Sequence, residues 1–187
     1  MRFTFDVRKT AQAAGYILTL APVGMTDGEL IKVLYLADRR ALQETGLPIT
    51  GDQAMSMENG PALSKTLDLA RGIGTDEELN EWRAHVSPDC GPDMVAASGA
   101  RTDALSPYQK RLIEETVSKY GRHDFSALQR VGHALPECEA VTNNERPKPI
   151  DPLAILRAAG LSNDEIEEME QLAQEREAML RVAPATR

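Results

Sequence analysis

Apolar positions recur at helical spacing along most of this chain. Val7, Ala11, Ala14, Leu18 and Ala21 form one stripe behind Asp6, which is placed to cap a helix that Pro22 and Gly24 end. In the next segment Leu30, Val33, Leu34, Ala37 and Ala41 repeat at three and four residues, and Thr26 with Glu29 stands before them at the spacing of a capping box. The pattern predicts a helix over 27–44, with Lys32, Arg39, Arg40 and Gln43 off its buried stripe. Asp38 falls at the edge of that stripe, beside Tyr35. It is either a satisfied polar group or part of a site, and helical spacing does not choose between the two.

After Gly46 the pattern changes. In LPITGDQAMSM the turn residues Thr50, Gly51 and Asp52 lie between short flanks, which predicts a small pair of strands. Gly60 and Pro61 read as the start of a helix with Leu63, Leu67 and Ala70 inward, because proline at the first helical position lacks a donor the helix does not need there. Thr75 and Glu78 open a short helix ending near Trp82, and two brief extended segments follow around a Pro-Asp-Cys-Gly-Pro turn. Ser106, Pro107 and Gln109 start a helix with Leu112, Ile113, Val117 and Tyr120 on its apolar face and Gly121 at its end. Asp124 starts another, through Leu128, Val131 and Leu135 to Pro136.

Residues 141–150, VTNNERPKPI, read as an extended connector, and Asp151 with Pro152 restarts a helix that runs to Gly160. Ser162 and Glu165 cap the last helix, in which Ile166, Met169, Leu172 and Ala173 face one way and acidic residues fill the first turns, where they suit the helix dipole. That helix is either a solvated face on a docked element or an arm that meets a partner. The expected architecture is mainly α (α+β): a helical domain with a small antiparallel sheet over 1–140, the connector 141–150, and a helical extension over 151–187. If the connector is a tether, a chain ending at Asn144 keeps its fold.

Composition narrows the function. A hydrophobic fraction of 42% and a charged fraction of 27% over 187 residues fit one globular unit. A net charge of −8 without any basic run sets the chain against a phosphate backbone, so no nucleic-acid partner is expected. No apolar stretch approaches the roughly 20 residues that span a bilayer, and Asp6 interrupts the N-terminal segment; no membrane association is expected, and the location is expected to be cytoplasmic. Cys90 and Cys138 stand alone, and Pro136 separates His133 from Cys138, so neither a disulfide nor a metal site is implied. The sequence contains no G-x-S-x-G, Walker-type loop or H-E-x-x-H, and RGIGTDEEL reads as a loop. No catalytic residue and no cofactor is assigned.

The succession KVLYLADRRALQETGLPITGD, ENGPALSKTL and LSPYQKRLIEETVSKYGRHDFSALQRVGHALPEC resembles the Panacea domain of the SocA-like antitoxin family, over about residues 8–140. Lys32, Leu34 and Tyr35 match its first helix, Gly46 and Pro48 its turn into a short sheet, Gly60 and Pro61 its Gly-Pro element, and His133 and Pro136 its late segment. Asn59 and Cys138 stand where aromatic residues are usual. The C-terminal segment IDPLAILRAAGLSNDEIEEMEQLAQE resembles the helical extension of SocA-like members. The resemblance implies a binding protein rather than an enzyme: an antitoxin whose partner is a cognate protein toxin, with a SocA-like subset presenting the toxin to an AAA+ protease of the ClpXP type. It makes Tyr35 and Asp38 framework residues. Arg39 and Arg40, with Ile166, Met169 and Leu172 on the last helix, are the candidate partner contacts. An autorepressor of its own operon and a small hydrolase built around His133 are the alternatives.

Overall fold

The computed structural model describes residues 1–22, 24–89, 91–142 and 145–182. Cys90 of the expected turn, Asn143 and Asn144 of the connector, and the last five residues of the extension lie outside the described residues. In chain order the elements are α1 (Val7–Leu20), β1 (Met25–Thr26), α2 (Asp27–Thr45), β2 (Ala54–Met57), β3 (Gly60–Leu63), α3 (Ser64–Ala70), α4 (Asp76–Arg83), β4 (Val86–Pro88), β5 (Asp93–Ala96), α5 (Pro107–Tyr120), α6 (Phe125–His133), β6 (Lys148–Pro149), α7 (Pro152–Ala158) and α8 (Asn163–Val182). The protein is mainly α, and the described residues form two small antiparallel sheets, ordered β1-β5-β4 and β3-β2-β6.

The helix starts follow the capping residues. Asp6 accepts from Lys9 N, Asp124 from Ala127 N and Asp151 from Leu153 N, while Thr26/Glu29, Thr75/Glu78 and Ser106/Gln109 form reciprocal capping boxes. Each cap satisfies donors that the first helical turn leaves open and contributes about 1 kcal/mol.

Helix α2 is the axis of the domain. Helices α1, α5, α6 and α7 and strand β3 pack around it, and every residue from Leu30 to Asp38 is buried. Over that stretch the helix has no solvent face, so Lys32, which the apolar spacing turns outward, is only 6% exposed. Its polar positions must be satisfied within the protein. They are: among the described residues no buried side-chain nitrogen or oxygen lacks a partner.

The hairpin differs from its expected form. Its turn is Glu58-Asn59, with Met57 opposite Gly60 and Ser56 opposite Pro61, so Gly60 and Pro61 belong to strand β3 and the helix begins three residues later, at Ser64. Proline is tolerated there because β3 is an edge strand and needs no ladder donor at that position. Thr50-Gly51-Asp52 is instead the bend that caps α3. Asp52 accepts from Lys65 N (3.1 Å), Thr66 N (2.8 Å) and Thr66 Oγ1 (2.7 Å), which the Leu63 side chain at the cap position cannot do.

The C-terminal segment folds back on the domain. Within the expected connector, Lys148 and Pro149 pair with Ser56 and Met55 as the third strand of the hairpin sheet, and Ile150 N donates to Ala54 O at 2.8 Å. Ile155 and Leu156 of α7 are buried where α7 packs on α2. In α8, Ile166 and Ala173 are buried and Met169 packs on Gly46, but Leu172 is 58% exposed. Leu172 lies off the i, i+3, i+7 row formed by Ile166, Met169 and Ala173, so the four residues do not share one face. Among the described residues no helix is long and apolar enough to cross a membrane.

Candidate functional site

The hairpin tip is held between α2 and α6. Lys32 of α2 donates its Nζ to the carbonyl of Asn59 and sits 5.3 Å from the centre of the Phe125 ring. From α6, Gln129 Nε2 donates to Asn59 Oδ1 at 3.0 Å and His133 Nε2 donates to the Glu58 carbonyl at 3.1 Å. Two glycines allow the approach. Gly60 has φ +88°, and a Cβ there would stand 3.0 Å from His133 Cδ2 and 3.5 Å from Lys32 Nζ; a Cβ at Gly132 would stand 2.5 Å from Pro61 Cδ. Lys32, Gly60, Pro61 and His133, more than a hundred positions apart at the extremes, therefore meet at one place. Burial pushes the Lys32 ammonium down to about 8, against an opposing pull from Cys138.

One turn along α2, Tyr35 and Arg39 converge on Glu137, in the segment after α6. Tyr35 Oη donates to Glu137 Oε1 at 3.0 Å, Arg39 Nε donates to the same oxygen, and Arg39 Nη2 reaches Oε2 at 3.2 Å. The Glu137 side chain is fully shielded from solvent, and that of Arg39 is 17% exposed. Burial, reinforced by the charge of Glu137, raises the Tyr35 phenol well above its ordinary range, so it is a fixed donor. Arg39 Nη1 continues to Gln43 Oε1, and Gln43 Nε2 to the carbonyl of Ile155, which ties α7 into the same network.

On the next face Asp38 accepts from Ile49 N (2.6 Å), Thr50 N (2.9 Å) and Thr50 Oγ1 (2.6 Å), pinning the chain just after Pro48. Burial raises its carboxyl to about 6 although these three bonds pull it down. Asp38 and Asp52 both line an open cavity of 360 Å³ with Tyr35 and Arg39. Each carboxylate is engaged by two backbone donors and a threonine hydroxyl, which makes both anchors of the backbone; Asp38 is a satisfied polar group. Beyond α6, Ser56 Oγ lies 3.7 Å from Cys138 Sγ and accepts from Glu139 N at 3.1 Å.

The candidate partner contacts separate. The Arg39 guanidinium is committed to Glu137 and Gln43. Arg40 stays at the surface, paired with Glu44 and Glu115. Ile166 and Met169 turn toward the domain, and Leu172 faces outward. The remaining framework positions are spread along the domain: Gly46 ends α2 in the left-handed region at φ 72°, Pro48 precedes the Ile49-Thr50 segment held by Asp38, and Pro136 precedes Glu137. Glu137, Phe125, Gln129 and Gly132 were not visible as site residues in the sequence, since none belongs to a local motif; the Gly-His pair before a proline was the one available signal.

Residues 30–139, more than half of the chain, match the family model described as antitoxin SocA-like, Panacea domain. The matched span opens with the α2 segment that carries Lys32 and closes just after Glu137 and Cys138; α1, which the sequence resemblance included, falls outside it. Neither a curated protein nor a solved structure matches the chain. The chain belongs to the SocA-like, Panacea-domain family of antitoxins.

Proposed function

We propose that this protein is an antitoxin that binds one cognate protein toxin and neutralises it by direct contact. The family match over residues 30–139 carries the reading. The interior supports it: the polar residues of α2 are engaged with backbone and with one another, which builds a rigid surface rather than an exposed reactive group. Arg40 and Leu172 are the candidate contacts left at that surface.

The test is co-expression with a candidate toxin encoded next to the gene. Neutralisation restores growth to cells that express that product, and the two proteins co-purify. Delivery to a ClpXP-type protease is separated by measuring toxin half-life with protease and ATP at antitoxin well below toxin concentration. Faster decay there assigns an adaptor role, with the outward side of α8 as its second contact; an unchanged half-life leaves stoichiometric neutralisation. Failure to bind or to restore growth contradicts the antitoxin reading.

A further inference from the structure

Beside the hairpin tip lies a cavity of 160 Å³ lined by Ile31, Met57, Leu67 and Phe125 together with the buried Lys32 and the exposed Arg71. This is well below the several hundred Å³ of a small-molecule site, and it suits a single side chain. Its lysine is unusual. The Lys32 side chain is buried, its ammonium donates to one backbone carbonyl and stacks on Phe125, no carboxylate among the described residues is paired with it, and the neighbour whose charge acts on it is Cys138, a thiol that burial holds in its neutral form. A buried ammonium without an anion is unfavourable in the free protein and becomes favourable when a carboxylate enters beside it.

We infer that this slot receives an aspartate or glutamate side chain of the toxin, with the carboxylate paired to Lys32 and the methylene stem against Phe125 and Met57. The inference rests on the antitoxin reading and names the contact by which that partner is recognised. Charge complementarity chooses the occupant: two of the charged residues lining the slot are cations and one, Glu58, is an anion, in a chain whose net charge is −8. Arg71 is only loosely held, by Asp27 at 3.8 Å, and is free to add a second donor. The lowered proton affinity of Lys32 fits the same picture, because an entering carboxylate restores it. Lys32 thus acts as a central anchor, and the apolar walls exclude water around it.

The test uses the full chain and the co-expressed toxin. Lys32→Met keeps the length and removes the charge. Its toxin Kd is expected to rise by at least about 30-fold, the effect of removing one partner of a buried hydrogen-bonded charge pair, with the melting temperature held or raised. In the wild type, the Lys32 side-chain NMR signal titrates at higher pH in the complex than in the free protein. A Lys32→Met variant that folds and binds as tightly as wild type overturns the slot, as does a Lys32 titration unmoved by the toxin. Absence of binding by the wild type strikes the antitoxin reading itself, so the two failures are distinguishable. If Lys32→Met does not fold, the wild-type titration decides alone.

Discussion

Arg39 faces Glu137 across ninety-eight positions of sequence, its Nε on one carboxylate oxygen and its Nη2 on the other at 3.2 Å, and solvent does not reach the Glu137 side chain. This contact joins the central helix to the segment that ends the family domain. Through Gln43 it also reaches the C-terminal helices. Glu137→Ala leaves a guanidinium and a phenol without their acceptor, and it is expected to destabilise the fold by about 3 kcal/mol, as removal of one member of a buried pair does. Urea unfolding of the purified variant measures it. A shift below about 1 kcal/mol, the range of exposed pairs, would show that the network does not hold the domain together.

The hairpin tip makes a second prediction. Gly60→Ala forces a side chain into the left-handed region and toward His133 and Lys32, and Gly132→Ala drives a methyl into Pro61. Each is expected to lower stability by about 1 to 3 kcal/mol. Gly99→Ala, with open space around it and no positive φ, is the control and should leave the melting temperature unchanged. Equal melting temperatures for all three would remove the close packing of α6 on β3 from the account.

The C-terminal segment can be tested by deletion. A chain ending at Asn144 lacks β6, α7 and α8, and so uncovers the Met55-Ser56 edge of the sheet and the α2 surface beneath Ile155 and Leu156. It is expected to unfold at lower urea concentration than the full chain, with loss of solubility. This reverses the expectation drawn from the proline-rich connector. A truncation with the full chain's transition midpoint would restore the tether.

Lys32 gives a pH dependence with a definite sign. Its ordinary value of 10.5 applies to the unfolded chain and about 8 to the folded one, so between these the unfolded state holds a proton that the native state has released. Its contribution to stability therefore rises from pH 8 toward 10.5. The groups around it are the Asn59 carbonyl, the Phe125 ring, His133 and Cys138. Burial raises the Cys138 thiol, which pulls stability the other way at high pH. Because the charges of the two groups act on each other, the comparison is made in a Cys138→Ala background: the stability curve of that variant minus that of its Lys32→Met derivative should have a positive slope. A flat difference would mean that Lys32 is solvated in solution.

Much of this fold is legible in the sequence because capping chemistry is local. Thr26 with Glu29, Thr75 with Glu78 and Ser106 with Gln109 each mark a helix start that the structure reproduces. Gly60-Pro61 misleads because the same pair suits a helix start and an edge strand, and the choice was made by Ser56 and Met57 across the hairpin. Lys32 misleads for another reason. Apolar periodicity finds one buried stripe, whereas α2 from Leu30 to Asp38 is enclosed by elements that sequence spacing does not place around it. Glu137 and Gly132 matter only through Arg39, Tyr35 and Pro61, partners about seventy to a hundred residues away. The framework motifs were readable, but the way they close around Asn59 was not.

The most direct measurement is a titration of purified toxin with this protein, in the absence of any protease, reading toxin activity. The account predicts that activity falls linearly to zero at a fixed stoichiometric ratio and that the Lys32→Met variant needs a large excess to reach the same point. Toxin activity unchanged at saturating wild-type protein would contradict it.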